Sequence, residues 1–348
     1  MTSFDIVAQP DAPPGWDELA LGEGSFYHRP AWVDGLARCY GFPKFYLAAH
    51  RGGVCVAGLA LAEVPALLGP RRLVSLPFSY ASGVFPAGSD ATASLGARAI
   101  ELATARSVRR LEIKQVGVLG TITPGFERVS KYSTYRVSTE GGEAVLWKRL
   151  HGSSTQRSIK KARRSGLEAQ RGESACDWSI MADLEERTAR RLGLPAPPRH
   201  FFGVLCVELQ RLGLAELYLA RRADGEVAAG ITVWKGAREW IYAFGASRPE
   251  MLDLRPNHLL IWRAMLDAAA AGVTFDLGRA APEQQGLVEF KKRWGAEAIP
   301  ISTDFWPRAG GLNVARRDRG PLALATTVWS RLPLGVTRRA GGFYRYLG

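Results

Sequence analysis

Residues 46–61, YLAAHRGGVCVAGLAL, align without gaps on residues 218–233, YLARRADGEVAAGITV, at an offset of 172. Six of the sixteen positions are identical: Tyr46/Tyr218, Leu47/Leu219, Ala48/Ala220, Gly53/Gly225, Ala57/Ala229 and Gly58/Gly230. Each copy reads as an apolar strand, a turn at Gly53 or Asp224-Gly225, and a second apolar strand, the pattern of a β-hairpin. The flanks repeat as well. A helix ending at a glycine precedes each hairpin (31–41 and 200–213), and a further strand, a helix (91–106 and 256–271) and a strand ending beside an acid (Glu112 and Asp276) follow it. A duplicated unit fixes the architecture before any single element is settled. The expectation is an α+β fold of two tandem units, each a mostly antiparallel central sheet with helices against it.

The length of 348 residues and the 47% apolar content fit two cored domains and exclude disordered, collagen-like and coiled-coil chains. The net charge of +13 is unevenly spread. Residues 147–171 carry eight bases against one acid, residues 307–348 carry the same, and the remainder is close to neutral. The charge and the repeat together divide the chain into a first domain (1–146), a basic linker helix (147–172), a second domain holding the chemistry-bearing motifs (173–306) and a basic, aromatic tail (307–348). Cys39, Cys55, Cys176 and Cys206 stand far apart without a CxxC pair, which suits packed, reduced thiols better than disulfides or a zinc site. The amino terminus shows no basic stretch followed by an apolar run, and no segment approaches ~18 consecutive apolar residues, so the expected compartment is the cytoplasm.

Three places carry the residue types that chemistry needs. In the linker, a helix capped by Ser153 or Ser154 and ended by Gly166 places Arg157, Lys160, Lys161 and Arg164 on one face, at i, i+3, i+4 and i+7. Like charges at that spacing repel by a few tenths of a kcal/mol per pair, so either phosphate groups of RNA, a nucleotide or a lipid, or acids of the protein body, compensate them. In residues 282–295, PEQQGLVEFKKRWG, a helix from Pro282 to Gly295 puts Phe290, Lys291 and Trp294 within about 60° of Leu287 at ~100° per residue, while Lys292 and Arg293 point away. An ammonium on that apolar face is paired, snorkels to water or lines a cavity. Upstream, VTFDLGRA presents Asp276, Gly278 and Arg279 at a strand end, and Arg255-Pro256-Asn257 opens a helix whose first amides suit an anion or a polarised carbonyl. Asp276 as base, Arg279 as anion clamp and Tyr242 as acid are the candidate roles; an ion pair of Asp276 with Arg279 or Arg255 is the structural alternative.

The other signals are weaker. Five scattered histidines form no triad or metal site, and Pro77-Phe78-Ser79-Tyr80 with Gly83 reads as either a cleft-lining or a packed surface loop. In residues 326–348, TTVWSRLPLGVTRRAGGFYRYLG, aromatic and apolar side chains alternate with arginines, as suits an anionic membrane interface or packing back on the body.

The linker WKRLHGSSTQRSIKKARRSGLE, the helix start RPNHLLIW, the strand FDLGR and above all GLVEFKKRWGAE resemble the FemAB-like transferases of the GNAT superfamily, including proteins with a BioF2-like acetyltransferase domain. The resemblance runs from about Ser25 to Trp306. It implies two GNAT-like (acyl-CoA N-acyltransferase) domains with a cleft between them, and transfer of an acyl or aminoacyl group to an amine. Acyl-CoA or aminoacyl-tRNA would be the co-substrate, with no tightly bound cofactor and no metal. The acceptor would be a small-molecule or lipid-linked amine of a cell-envelope or polysaccharide precursor, with tRNA as a partner in tRNA-dependent members. The tail would bring the protein to the inner face of the cytoplasmic membrane.

In tRNA-dependent relatives a Phe-Lys pair lies near the donor ester, and Phe290 and Lys291 are the matching residues. On this reading Lys291 stabilises the tetrahedral oxyanion. Arg279, Asn257, Arg255 and Gly278, with Arg157, Lys160, Lys161 and Arg164, hold the donor's phosphate or carbonyl groups, and Phe78, Tyr80 and Lys114 lie on the acceptor side. The sequence departs from its relatives in lacking both a heptad-rich arm and a glycine-rich pyrophosphate loop. The alternative of another class is a non-catalytic module that binds RNA or an anionic membrane through the two basic segments.

Overall fold

Strand pairing carries the duplication through to the three-dimensional fold. The computed structural model describes residues 4–66, 70–117, 120, 122–307 and 329–347, which gather into two units. The first holds the described residues up to Thr134 together with 299–307 and 345–347; the second holds 135–298 and 329–344.

In the first unit, β1 (Asp5–Gln9), α1 (Trp16–Glu23), α2 (Pro30–Tyr40), β2 (Lys44–Arg51), β3 (Val54–Val64), β4 (Arg72–Val74), α3 (Thr92–Ala105) and β5 (Arg110–Val116) follow one another, and β6 (Glu127–Val137) begins in it and enters the second unit at Tyr135. The second unit contains α4 (Gly142–Arg149), α5 (Arg157–Arg164), β7 (Glu168–Gly172), α6 (Ala175–Arg191), α7 (Val207–Arg211), β8 (Ala215–Arg221), β9 (Val227–Lys235), β10 (Glu239–Ser247), α8 (Pro256–Ala270), β11 (Thr274–Ala280) and α9 (Gln285–Lys292). Then β12 (Glu297–Trp306) returns to pair antiparallel with β5, and α10 (Leu334–Arg339) ends the chain's regular helices.

The two units share one pairing scheme. The run β1-β2-β3-β4 is antiparallel throughout and β5 joins β4 in parallel; β7-β8-β9-β10 is antiparallel and β11 joins β10 in parallel. A crossover helix, α3 or α8, connects each parallel pair, as parallel neighbours require. Each hairpin ladder skips one residue just after its turn, Val56 in the first copy and Ala228 in the second, which are again 172 apart. The shared glycines have a shared cause. A Cβ on Gly58 would stand 2.5 Å from the Trp16 ring of α1, and one on Gly230 would stand 2.8 Å from Met181 Sδ of α6. Gly58→Ala should therefore destabilise the first unit by about 1–3 kcal/mol through overpacking, measured by denaturant titration; unchanged stability would show that α1 retreats without cost.

The compact units do not follow the divisions at residues 146, 172 and 306 that charge and composition suggested. Leu146, Leu150, Ile159 and Ala162 join one core with Leu260, Trp262 and Trp294, so the basic linker is part of the second unit. Charge counting registers only the outer face of that helix. Strand β12 pairs with β5 across about 190 residues of chain, a pairing that local pattern cannot show.

The described part of the tail packs back on the second unit. Arg338 pairs with Glu186 at 2.8 Å and Asp183 at 3.3 Å on α6, Arg190 donates to the Leu332 carbonyl at 2.6 Å, and Gly341 rests on Pro198. The stretch 308–328, on which much of the membrane expectation falls, lies outside the described residues. Among the described residues no helix is long and apolar enough to cross a membrane.

Candidate active site

The parallel ladder of the second unit stops early. β10 and β11 pair through Glu239–Thr274, Trp240–Phe275 and Ile241–Asp276 only, yet β10 continues to Ser247 and β11 to Ala280. At the same level β10 is bulged against β9 between Tyr242 and Phe244. Backbone groups beyond the last pair lose their ladder partner, which makes the end of such a pair a place to receive another polar group.

Three side chains hold this end of β11. Asp276 is fully buried; its Oδ1 accepts the Gly278 N–H at 2.7 Å and its Oδ2 accepts Arg136 Nε at 3.2 Å. Arg136 lies on β6 and also pairs with Glu239 at 2.6 Å, a partner for Asp276 that neither sequence alternative named. Burial pushes the Glu239 carboxyl up to about 7 against the pull of Arg136. Lys291 is 3% exposed, and its Nζ donates to the carbonyls of Leu277 at 2.7 Å, Gly278 at 2.6 Å and Arg279 at 3.0 Å. Burial lowers this ammonium to about 8, with Asp276 opposing and Arg279 adding to the drop.

The helical wheel thus placed Lys291 correctly on an inward face, but it neither snorkels nor aims a proton at an open cavity. All three of its N–H bonds have acceptors on β11, whose end it clamps. Gly278 sits between the clamp and β10 at φ +78, and a Cβ there would meet the Tyr242 carbonyl at 3.4 Å. The same apolar face is less buried than expected at its start, since Leu287 is 38% exposed and the helix begins at Gln285 rather than Pro282.

A cleft of about 810 Å³ opens beside α9, lined by residues of the second unit alone. Arg157, Ser158 and Lys161 of α5, Arg255 and His258 at the start of α8, and Glu289, Phe290 and Arg293 of α9 face it, with the hydroxyls of Ser153, Ser154 and Thr155. Of the four linker cations on one face, two reach the cleft; Lys160 stands over the Trp147 ring at 5.7 Å, and Arg164 is exposed elsewhere. Among the described residues none of the four makes an ion pair, so acids of the body do not compensate them. The expected serine cap is also absent. Residues Gly152–Gln156 form a wide π turn whose Ser154 hydroxyl meets His151 Nδ1 at 2.9 Å, and the Thr155 hydroxyl and His151 N–H both donate to the Arg293 carbonyl, at 3.0 and 2.9 Å. That turn fastens the linker to the end of α9.

At the head of α8, Arg255 adopts a left-handed conformation (φ 62) and lines the cleft, whereas the Asn257 Oδ1 accepts the Ser247 hydroxyl at 2.9 Å and ties the helix start to β10. His258 escaped the sequence reading, which found no partner for any histidine. Its ring stacks on Trp294 (centroids 5.8 Å apart) and meets the edge of Phe290 at 5.5 Å, and burial with the nearby Arg255 lowers it to about 4, so it is neutral at pH 7. Its position three residues into a proline-led helix start was the available signal.

Tyr242 is partly buried with its ring across Gly245, and burial, then the charge of Glu185, raises its phenol well above the ordinary value. In the first unit, Phe78 packs on Tyr40 (centroids 5.1 Å), Tyr80 is buried against Tyr27 (5.4 Å) and Lys114 Nζ donates to the Leu76 carbonyl at 3.3 Å. None of the three lines the second unit's cleft.

Residues 153–292 match the family model described as an acetyltransferase (GNAT) domain. That stretch, two fifths of the chain, is an acyltransferase domain of the GNAT type. The match contains the cleft-lining turn, α5, α8 and β11. The fold is that of FemX (TM-score 0.68, 16% identity, 86% of this chain and 96% of that one), as the linker and α9 motifs implied. It is also that of a tandem GNAT protein from the clavulanic acid biosynthesis pathway (0.53, 15%, 86% and 98%) and of L-PGS from Bacillus licheniformis (0.55, 12%, 94% and 99%). No curated protein matches the chain.

Proposed function

We propose that the protein is an N-acyltransferase whose donor is a phosphate-bearing thioester or ester, an acyl-CoA or an aminoacyl-tRNA, seated in the second unit's cleft. The observation that carries this reading is the cleft itself. Arg157, Lys161, Arg255 and Arg293 surround it with Glu289 as its lone lining acid, and the start of α8 opens into it. The donor's phosphates would lie against those cations, and its base or acyl portion against His258 and Phe290. Lys291 and Asp276 act as positioning residues, holding the β11 end so that free backbone amides can meet the carbonyl oxygen as it becomes an oxyanion, a contribution of about 3 kcal/mol for a well-placed donor. The acceptor would be an amine of a cell-envelope or polysaccharide precursor, a class supported by the shared fold of FemX and L-PGS.

The test is transfer from a set of acyl-CoA thioesters and aminoacyl-tRNAs to small-molecule and lipid-linked primary amines, followed by mass spectrometry. A new amide bond from one donor class is expected. Transfer from neither class would overturn the reading.

A further inference from the structure

Within the second unit, the described end of the chain is fastened to α6 and to the turn that follows it. Arg190 donates to the Leu332 carbonyl at 2.6 Å, Arg338 pairs with Glu186 at 2.8 Å and Asp183 at 3.3 Å, and a Cβ on Gly341 would stand 3.5 Å from Pro198. Residue numbers rise along the tail as they fall along α6, so α10 runs antiparallel to that helix. Thr337 is buried, while Arg331, Gly335 and Val336 are exposed.

Four of the eleven exposed large apolar side chains among the described residues gather at this junction. They are Leu192 and Leu194, which follow α6, Val336 of α10 and Phe343 of the closing turn, each 44–55% exposed. Leu192 and Leu194 stand within four residues of Arg190, Val336 within four of its partner Leu332, and Phe343 two from Gly341, so the contacts that dock the tail bring them into one neighbourhood. Apolar groups exposed singly are ordinary, whereas a cluster rimmed by polar groups marks an interaction surface. This rim is cationic. Arg187 and Arg191 of α6 and Arg331 ahead of α10 are exposed and form no ion pair among the described residues, because the nearby acids Asp183 and Glu186 are already taken by Arg199 and Arg338.

We infer that this face of the second unit lies on a lipid bilayer that carries anionic headgroups. Leucine, valine and phenylalanine side chains enter the boundary between headgroups and acyl chains, and arginines beside them meet the lipid phosphates while their stems stay among apolar groups. A second copy of the same face would set arginines against arginines, and an RNA would leave the leucines and the valine in water. The sequence allowed either a membrane interface or packing on the body for the tail; the packing is what assembles the interface, since α6 and its turn supply Arg187, Arg191, Leu192 and Leu194. Binding to a bilayer needs neither donor nor acceptor, so the inference stands apart from the acyltransferase reading.

The test is co-sedimentation of the full chain with vesicles of phosphatidylcholine alone and with vesicles of equal parts phosphatidylcholine and phosphatidylglycerol. Wild type is expected to bind the anionic vesicles at least about tenfold better, by a margin that shrinks as salt is raised. Each arginine near an anionic surface accounts for about a fivefold gain, so Arg187→Gln, Arg191→Gln and Arg331→Gln together should weaken binding about 100-fold. Val336→Ser with Phe343→Ser should weaken it about tenfold. All five side chains are exposed, so both variants should melt like wild type, which separates lost binding from lost folding. Equal binding to the two kinds of vesicle overturns the inference, as does full binding by both variants. Binding that is lost only when Arg157 and Lys161 of the cleft are replaced also overturns it, and so does affinity for a single-stranded RNA oligonucleotide without affinity for anionic vesicles.

Discussion

Lys291→Met should unfold the second unit more easily, by about 3 kcal/mol, and lower its melting temperature by roughly 6–12 °C. Methionine fits the volume of the buried stem, but it leaves the carbonyls of Leu277, Gly278 and Arg279 without the donor they share at 2.6–3.0 Å. A buried acceptor stripped of its partner costs about 1–3 kcal/mol, and relief from burying the ammonium returns only part of the total. Turnover should fall with stability, because the β11 end that Lys291 grips borders the opening beside β10. Lys291→Arg should recover less than half of the loss, since a planar fork cannot point at three converging carbonyls. Differential scanning calorimetry beside the transfer assay separates the roles. A variant that melts like wild type but is inactive would return Lys291 to direct contact with the reacting carbonyl.

The second large effect concerns the cleft. Arg157→Glu with Lys161→Glu should weaken donor binding by about 100- to 1,000-fold at low ionic strength, the equivalent of two lost charge-assisted contacts at about 1.5–2 kcal/mol each. Raising the salt should shrink the ratio, because both side chains are exposed and screened. Stability should change little, as neither residue is ion-paired among the described residues and their helix is anchored by Ile159 and Ala162 instead. Isothermal titration with CoA and with deacylated tRNA at two salt concentrations measures this. Affinity that stays at the wild-type value for both ligands would exclude the cleft as the donor site. The paired substitution of Lys160 and Arg164, which do not line the cleft, is the control and should leave CoA affinity within about threefold.

How far the site could be read from the residues depended on whether its parts were local. The face of α9 was legible because 100° per residue is a property of one helix, and that arithmetic alone picked Lys291 over Lys292. What Lys291 touches was not legible, because its three acceptors lie 12–14 residues upstream on another element. The partner of Asp276 was missed for the same reason: Arg136 stands 140 residues away on β6. His258 carried only its place in a proline-led helix start. An isolated histidine becomes noteworthy only when packing sets it against Trp294 and Phe290.

The sequence by itself determined the tandem α+β architecture. Two copies of one strand-turn-strand pattern, 172 residues apart, commit each half to the same order of elements, since the period of apolar residues and the turn glycines are written locally. It also determined that the excess charge belongs to a linker helix and a tail. The tertiary structure alone decided that the linker is part of the second unit, that β12 closes on β5, and that four cations, a π turn and the head of α8 face one cleft. These depend on burial and on pairing between distant segments, where the free energy comes from contacts whose partners no local stretch of sequence names.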